Sequence, residues 1–108
     1  MRAVSDVLLQ LVTRRMRLLS DPVRVRILTI LEQREVCVQE LADQLCATPQ
    51  NVSHHLGALY RDGVLSRRKE GTTVIYALSD YTACRIIEQA LDSVTAQVEE
   101  LGELVGAC

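Results

Sequence analysis

Residues 48–59 read TPQNVSHHLGAL, and the way this stretch folds decides the rest. Thr48 stands directly before Pro49, the order of a side-chain N-cap followed by proline at the first helical position. Val52, Leu56 and Leu59 then form one apolar stripe, and Asp62 and Gly63 supply a left-handed stop. At about 100° per residue, with Val52 at ~0°, Leu56 lies near ~40° and Leu59 near ~340°, so the buried direction is about 10–20°. Gln50 then falls near ~160° and His54 near ~200°, facing away from the core. His55, near ~300°, borders the stripe, so the two histidines diverge by about 100° and cannot both grip one metal ion. Gly57 and Ala58 flank the outward face and are small enough for close backbone approach. Thr48, Gln50, Asn51, Ser53 and His54 are therefore candidate DNA-contact residues, short polar side chains able to bond to base edges in a major groove. An ordinary solvated helix face has the same composition, so the neighbours of this helix carry the distinction.

Upstream, VCVQELADQL (36–45) sets Val38, Leu41, Ala42 and Leu45 at i, i+3, i+4 and i+7, a short helix. Residues 46–48 (CAT) are a tight connection, so 36–61 reads as a helix-turn-helix. Downstream, VLSRRKEGTTVIYAL (64–78) changes to β-branched, alternating residues around Glu70 and Gly71, which predicts a two-stranded hairpin. A hairpin directly after a helix-turn-helix is a wing. Its basic residues Arg67, Arg68 and Lys69, with Thr72 and Thr73 across the turn, suit phosphate or minor-groove contacts.

Two further helices precede this unit, one over residues 4–19 and one starting at Pro22 behind an Asp21 cap, with Val23, Ile27, Ile30 and Leu31 as its stripe. A long acidic helix over 80–104 follows, with Ser79 or Asp80 able to cap it. In it Cys84, Ile87, Leu91, Val94, Val98, Leu101, Val105 and Cys108 succeed one another at alternating steps of three and four, a coiled-coil seam with a thiol at each end. The expected fold is mainly α with a small β-hairpin: one winged helix-turn-helix domain, 1–108, dimeric through its terminal helices.

Composition agrees with a single domain, since 108 residues leave no room for a second core. With 48% hydrophobic residues but neither Trp nor Phe, that core must be built from Leu, Val and Ile. No apolar run is long enough for a membrane span, and Met1 to Arg17 lacks the pattern of a signal peptide, so a cytoplasmic protein with no membrane partner is expected. The net charge of −2 conceals an asymmetry: residues 1–79 hold 11 basic and 8 acidic side chains, residues 80–108 hold 1 and 6. Ten of those 11 basic residues are Arg, the side chain that makes bidentate contacts with phosphate and guanine. Divergent histidines, no glycine-rich phosphate loop and few convergent carboxylates argue against an enzyme.

From about Leu18 to Asp80 the chain resembles the ArsR/SmtB family of winged-helix repressors. The resemblance is carried by LSDPVRVRIL (19–28), VCVQELA (36–42), TPQNVSHHLGAL (48–59) and LSRRKEGTTVIYAL (65–78), with Ser53 and His54 where the family's recognition helix keeps a serine-histidine pair. It implies a homodimer bound to double-stranded DNA at an inverted-repeat operator and released by a metal ion, a metalloid or a thiol-reactive signal. Departures are plain. Where some members carry Cys-Val-Cys, this chain has Cys37, Val38 and Gln39. Asp80 matches the first ligand of the family's zinc-type site in the last helix, but Thr82, Ser93 and Ala96 replace the others.

Two accounts of the cysteines stay open. Cys84 and Cys108, with or without Cys37, could form a sulfur site for a thiophilic metal or metalloid ion such as arsenite, cadmium or mercury, or a redox pair. A two-fold crossing near Ala96 would set Cys84 against Cys108 of the partner subunit. Alternatively the cysteines are structural filler, Cys46 included, and the protein is a constitutive DNA-binding or adaptor protein whose acidic helix meets a partner.

Overall fold

The structure, a computed structural model, describes residues 2–105, with side-chain environments through residue 102. In chain order it comprises α1 (Asp6–Leu18), α2 (Pro22–Gln33), β1 (Val36–Cys37), α3 (Val38–Leu45), α4 (Pro49–Arg61), β2 (Leu65–Glu70), β3 (Thr73–Leu78) and α5 (Thr82–Val105). This is a winged helix-turn-helix. Helix starts follow their capping chemistry: the Ser5 hydroxyl accepts the Leu8 N–H at 3.2 Å, Asp21 accepts those of Val23 and Arg24 at 2.8 and 3.2 Å, and Thr48 accepts that of Asn51 at 3.1 Å. Helix α4 ends as its Asp-Gly pair requires. Gly63 has φ +81°, its N–H reaches the Tyr60 carbonyl at 3.0 Å, and the Val64 N–H reaches that of Leu59 at 3.0 Å.

Helix α3 ends differently. Cys46 takes the left-handed conformation (φ 51°, ψ 43°) that usually falls to glycine, and Ala47 N–H bonds back to the Ala42 carbonyl at 3.0 Å. This geometry turns the chain tightly enough for α4 to begin at Pro49, so the role of Cys46 here is conformational.

The sheet has three antiparallel strands in the order β1-β3-β2, not the two of the expected hairpin. Val36 pairs with Tyr76 and Cys37 with Ile75. A two-residue strand carries no readable alternation, and its partner lies far along the chain, so only tertiary packing reveals it. The β2–β3 turn has two residues, Gly71 and Thr72, between the paired Glu70 and Thr73, with positive φ (+65°) at the glycine alone. Glycine first is what this class of tight hairpin turn demands.

The core is aliphatic, as composition implies. Ile27, Leu28 and Leu31 of α2, Leu41 of α3, Val52, Leu56 and Leu59 of α4, Val64, Leu65 and Leu78 of the wing base, and Ala83, Cys84 and Ile87 of α5 are buried together, with Tyr76 the only aromatic ring among them. The buried side of α2 is wider than the expected stripe, taking in Leu28 while Val23 and Ile30 are half-covered, because α2 touches α4, β3 and α5 at once.

The seam expected along α5 is divided. Cys84 and Ile87 belong to the core of their own chain, whereas Leu91, Val94, Val98 and Leu101 lie more than half exposed. Cys108 is outside the described residues. Helix α1 likewise buries none of its residues, and Val7, Leu8, Leu11, Val12 and Met16 are open to solvent. Helix α1 is held at its C-terminal end, where Leu18 and the cap residue Leu19 pack on the core and a charge network adds to them. Arg15 pairs with the Asp62 carboxylate, donates to the Asp62 carbonyl at 2.7 Å and pairs with Asp80 at 2.8 Å, while Arg14 adds a 2.9 Å pair to Asp62. Asp80, the residue matching a family metal ligand, is thereby taken up by Arg15 and by the Thr82 N–H at 2.9 Å that opens α5.

The left-handed Cys46 yields a stability test. Cys46→Gly relieves steric strain and is expected to raise the unfolding free energy by up to ~1 kcal/mol, net of glycine's entropy cost. Cys46→Val should lower it, since a β-branched residue tolerates this conformation least. Urea unfolding at one fixed protein concentration measures both; equal stability of the two variants would remove the conformational role.

Candidate nucleic-acid interface

Helix α4 is rotated as its stripe dictates. Val52, Leu56 and Leu59 have no exposed surface, His55 is 8% exposed, and Thr48, Gln50, Asn51, Ser53 and His54 all face solvent. Of these, Thr48 already accepts the Asn51 N–H and keeps its hydroxyl proton to donate. Gln50, Asn51, Ser53 and His54 together offer both donors and acceptors on one exposed helix surface.

The neighbouring histidines have separate tasks, as their angular divergence requires. Their ring centroids stand 5.7 Å apart in an edge arrangement. The His55 Nδ1 accepts the Nε–H of Arg24 at 3.0 Å, and Arg24 also donates from Nη1 to the Leu18 carbonyl at 3.2 Å. An imidazole that accepts from a guanidinium is neutral. Burial lowers the pKa of His55 below 6.5, Asp21 opposes this, and Arg24 adds to the lowering.

The wing separates its three basic side chains. Successive residues of β2 point to opposite faces, so Arg67 and Lys69 share one and Arg68 takes the other. The Arg67 guanidinium lies 4.0 Å over the Tyr60 ring, which ties the wing to the last turn of α4. Arg68 pairs with Glu35 and, at 2.9 Å, with Glu70. Its charge is thus balanced by carboxylates of its own chain, which sets it apart from Arg67 and Lys69. Thr72 and Thr73 are exposed at the tip. Arg61 is a residue that the sequence reading passes over. It lies near ~180° on the α4 wheel, between Gln50 and His54, so the same angular reasoning reaches it once the helix is followed to its end.

The candidate sensing residues are placed apart from this surface. Cys37 is half-buried at the end of β1 and the start of α3, where its N–H donates to Glu40 at 3.4 Å. Cys84 is 4% exposed, its Sγ directed at the Leu28 carbonyl at 3.8 Å, and its pKa is pushed up to about 11 by burial and then by Glu32. It stays a thiol at neutral pH. Among the described residues no group of three or more His, Cys, Asp or Glu side chains could hold a metal ion. Nor, among the described residues, is any helix long and apolar enough to cross a membrane.

Comparison with known proteins agrees with this geometry. Residues 21–67 match the model of the family described as bacterial regulatory protein, arsR family. The chain is 36% identical over 76 residues to the transcriptional repressor SmtB of Mycobacterium tuberculosis, covering 70% of this chain and 56% of that protein. To the CadC homolog of Staphylococcus aureus, a cadmium resistance regulatory protein, it is 37% identical over 73 residues, covering 67% and 60%. The homodimeric winged helix-turn-helix DNA-binding domain Mb0332 of Mycobacterium bovis superposes with a TM-score of 0.70 at 31% identity, covering 90% of this chain and 91% of that one.

The chain belongs to the ArsR family.

Its matches span less than two thirds of SmtB and of the CadC homolog. These ArsR-family relatives are transcriptional regulators, not enzymes.

The His55–Arg24 bond makes a pH prediction. Because the folded pKa of His55 lies below 6.5, the unfolded chain binds more protons at mildly acid pH. Stability is therefore full above about pH 6.5 and declines as pH falls below it. His55→Gln, which retains an acceptor but cannot titrate, should flatten this decline. Denaturant midpoints between about pH 5.5 and 7.5 measure it, and an equal slope in both proteins would contradict the assignment.

Proposed function

We propose that the chain is a homodimeric, sequence-specific DNA-binding transcriptional repressor in which α4 reads base edges in the major groove and the wing holds the backbone. The observation that carries this reading is the division of α4: Val52, Leu56 and Leu59 on one side have no exposed surface, and the other side presents Gln50, Asn51, Ser53 and His54, on a helix whose last turn holds the wing through the Arg67–Tyr60 contact. A side so fully buried holds the opposite side still, which recognition of base edges requires.

Dimerisation is supported by the apolar residues left uncovered on α1 and α5. Val7, Leu11 and Val12 on one helix and Leu91, Val94, Val98 and Leu101 on the other are each close to or more than half exposed, and large apolar side chains repeated along a helix in this way suit a protein–protein contact. A two-fold dimer carries two α4 helices and so matches an inverted repeat. The homodimeric state of the M. bovis domain agrees with this.

Release by a thiophilic metal, metalloid or thiol-reactive signal at Cys37, Cys84 and Cys108 is the finer reading, supported by the cadmium-resistance relative and by the family's repressors. A second reading, constitutive DNA binding with structural cysteines, is favoured by the burial of Cys84 and its raised pKa. Titrating the reduced protein with cadmium and with arsenite, while following thiolate absorption and DNA release together, decides between them. Joint changes support sensing; DNA binding indifferent to both ions supports the second reading.

On an operator selected from random-sequence DNA, Gln50→Ala and His54→Ala should each cost about 1–3 kcal/mol of specific binding with the dimer intact. An equal loss on unrelated DNA would take base reading away from α4. In the wing, Arg67→Ala with Lys69→Ala should weaken all sequences alike and reduce the log-log salt slope by about 0.9 for each phosphate no longer neutralised. Arg68→Ala, already balanced by Glu35 and Glu70, should change that slope least. A steeper effect at Arg68 than at the other two would reverse the assignment of the wing faces.

A further inference from the structure

Between α1, α2 and the last turn of α4 lies a cleft of about 490 Å³ bordered by Arg14, Arg17, Arg24 and Arg61, with Ala58 on its wall and Asp62 its only carboxylate. Four guanidinium groups against one acid is a large local excess of positive charge in a chain whose formal charge is −2. The acid is already taken. Asp62 is held by both Arg14 and Arg15, so it offers little to the other arginines of the cleft. Arg17 and Arg61 have no ion-pair partner among the described residues.

The cleft is also partly pre-ordered. Arg24 is fixed by His55 through Nε and by the Leu18 carbonyl through Nη1, which leaves the Nη2 amine for a ligand. Arg17 is tethered through Nε to the Thr13 carbonyl at 3.4 Å, leaving both terminal nitrogens available. Arg17 and Arg61, which have no ion-pair partner among the described residues, together with Arg24, whose charge is shared with nearby Asp21, suit an oxyanion that accepts several hydrogen bonds, of which phosphate is the type.

Position selects the source of that phosphate. Arg61 continues the outward face of α4 about two turns beyond His54, roughly 10 Å along the helix axis. A major groove is about 12 Å wide, so a helix whose first turns reach base edges carries its last turn to a bordering strand. We propose that this cleft seats a backbone phosphodiester of the DNA flanking the groove entered by α4, so that α1 and α2 belong to the DNA-binding surface. The proposal rests on the DNA-binding reading above.

The test uses the full chain with Arg17→Ala and Arg61→Ala combined, neither residue being part of the core or of the Arg15 clamp. Affinity is measured on the selected operator and on unrelated DNA across a salt series, and again with single neutral methylphosphonates placed along the strands beside each half-site. The expected result is an equal reduction in affinity on both DNAs and a salt slope shallower by about 0.9 for each phosphate no longer neutralised. One methylphosphonate position should weaken the native protein yet leave the variant unaffected. An unchanged slope, or a methylphosphonate penalty equal in both proteins, overturns the proposal. So does inorganic phosphate that binds the native protein, and not the variant, while DNA affinity is unaltered: that outcome assigns the cleft to a free oxyanion. Failure of the native chain to bind any DNA overturns the underlying reading as well, which the native control reveals on its own.

Discussion

Complete burial of Val52, Leu56 and Leu59 is the constraint on which the rest of the molecule depends. Each such aliphatic side chain contributes about 1.5–3 kcal/mol when removed from water, so the three together fix the rotation of α4 about its axis. A slip of one residue turns the helix by about 100° and would carry His54 toward the core and Leu56 toward solvent. Everything attached to α4 inherits this setting. Its outward face is polar, His55 lies at the margin where Arg24 can reach it, and the chain leaves through Gly63 into the wing.

That exit also organises the charges. Asp62 stands at the end of α4 and Asp80 just before α5, and Arg15 from α1 joins them. An exposed ion pair contributes little, but here one guanidinium meets two carboxylates and a backbone carbonyl in a partly covered site, and Arg14 reinforces it. Helix α1 is thus held at its C-terminal end, by this charge network and by Leu18 and Leu19 at the core, while Val7, Leu8, Leu11, Val12 and Met16, like the outer half of α5, stay uncovered. It is on these uncovered residues of α1 and α5 that the proposed dimer rests.

The same packing divides chemically similar residues into different roles. Arg67 lies on Tyr60 while Arg68, one position on, is matched with glutamates, because alternation along a strand sends neighbours to opposite faces. Cys46 bends the chain, Cys37 opens α3, and Cys84 fills space between α2 and α5 with its thiol kept protonated. Residue type alone does not distinguish these three thiols; their surroundings do.

The helices, the wing and the outward face of α4 are legible in the residue order, because each rests on local chemistry: caps at Asp21 and Thr48, a glycine after Asp62, and a stripe whose period identifies the buried side, whereas the Ser5 cap falls inside the 4–19 span read for the first helix. The angular separation of His54 from His55 is legible for the same reason. Tertiary packing decides what depends on residues far apart in the chain. It pairs Val36 and Cys37 with β3, an interaction too short to leave a pattern of its own. It divides the α5 seam, since a regular spacing of three and four shows that residues share a face but not whether that face meets its own chain or another. It gathers Arg14, Arg17, Arg24 and Arg61 from three helices around one cleft, an arrangement that no periodicity along a single helix can express.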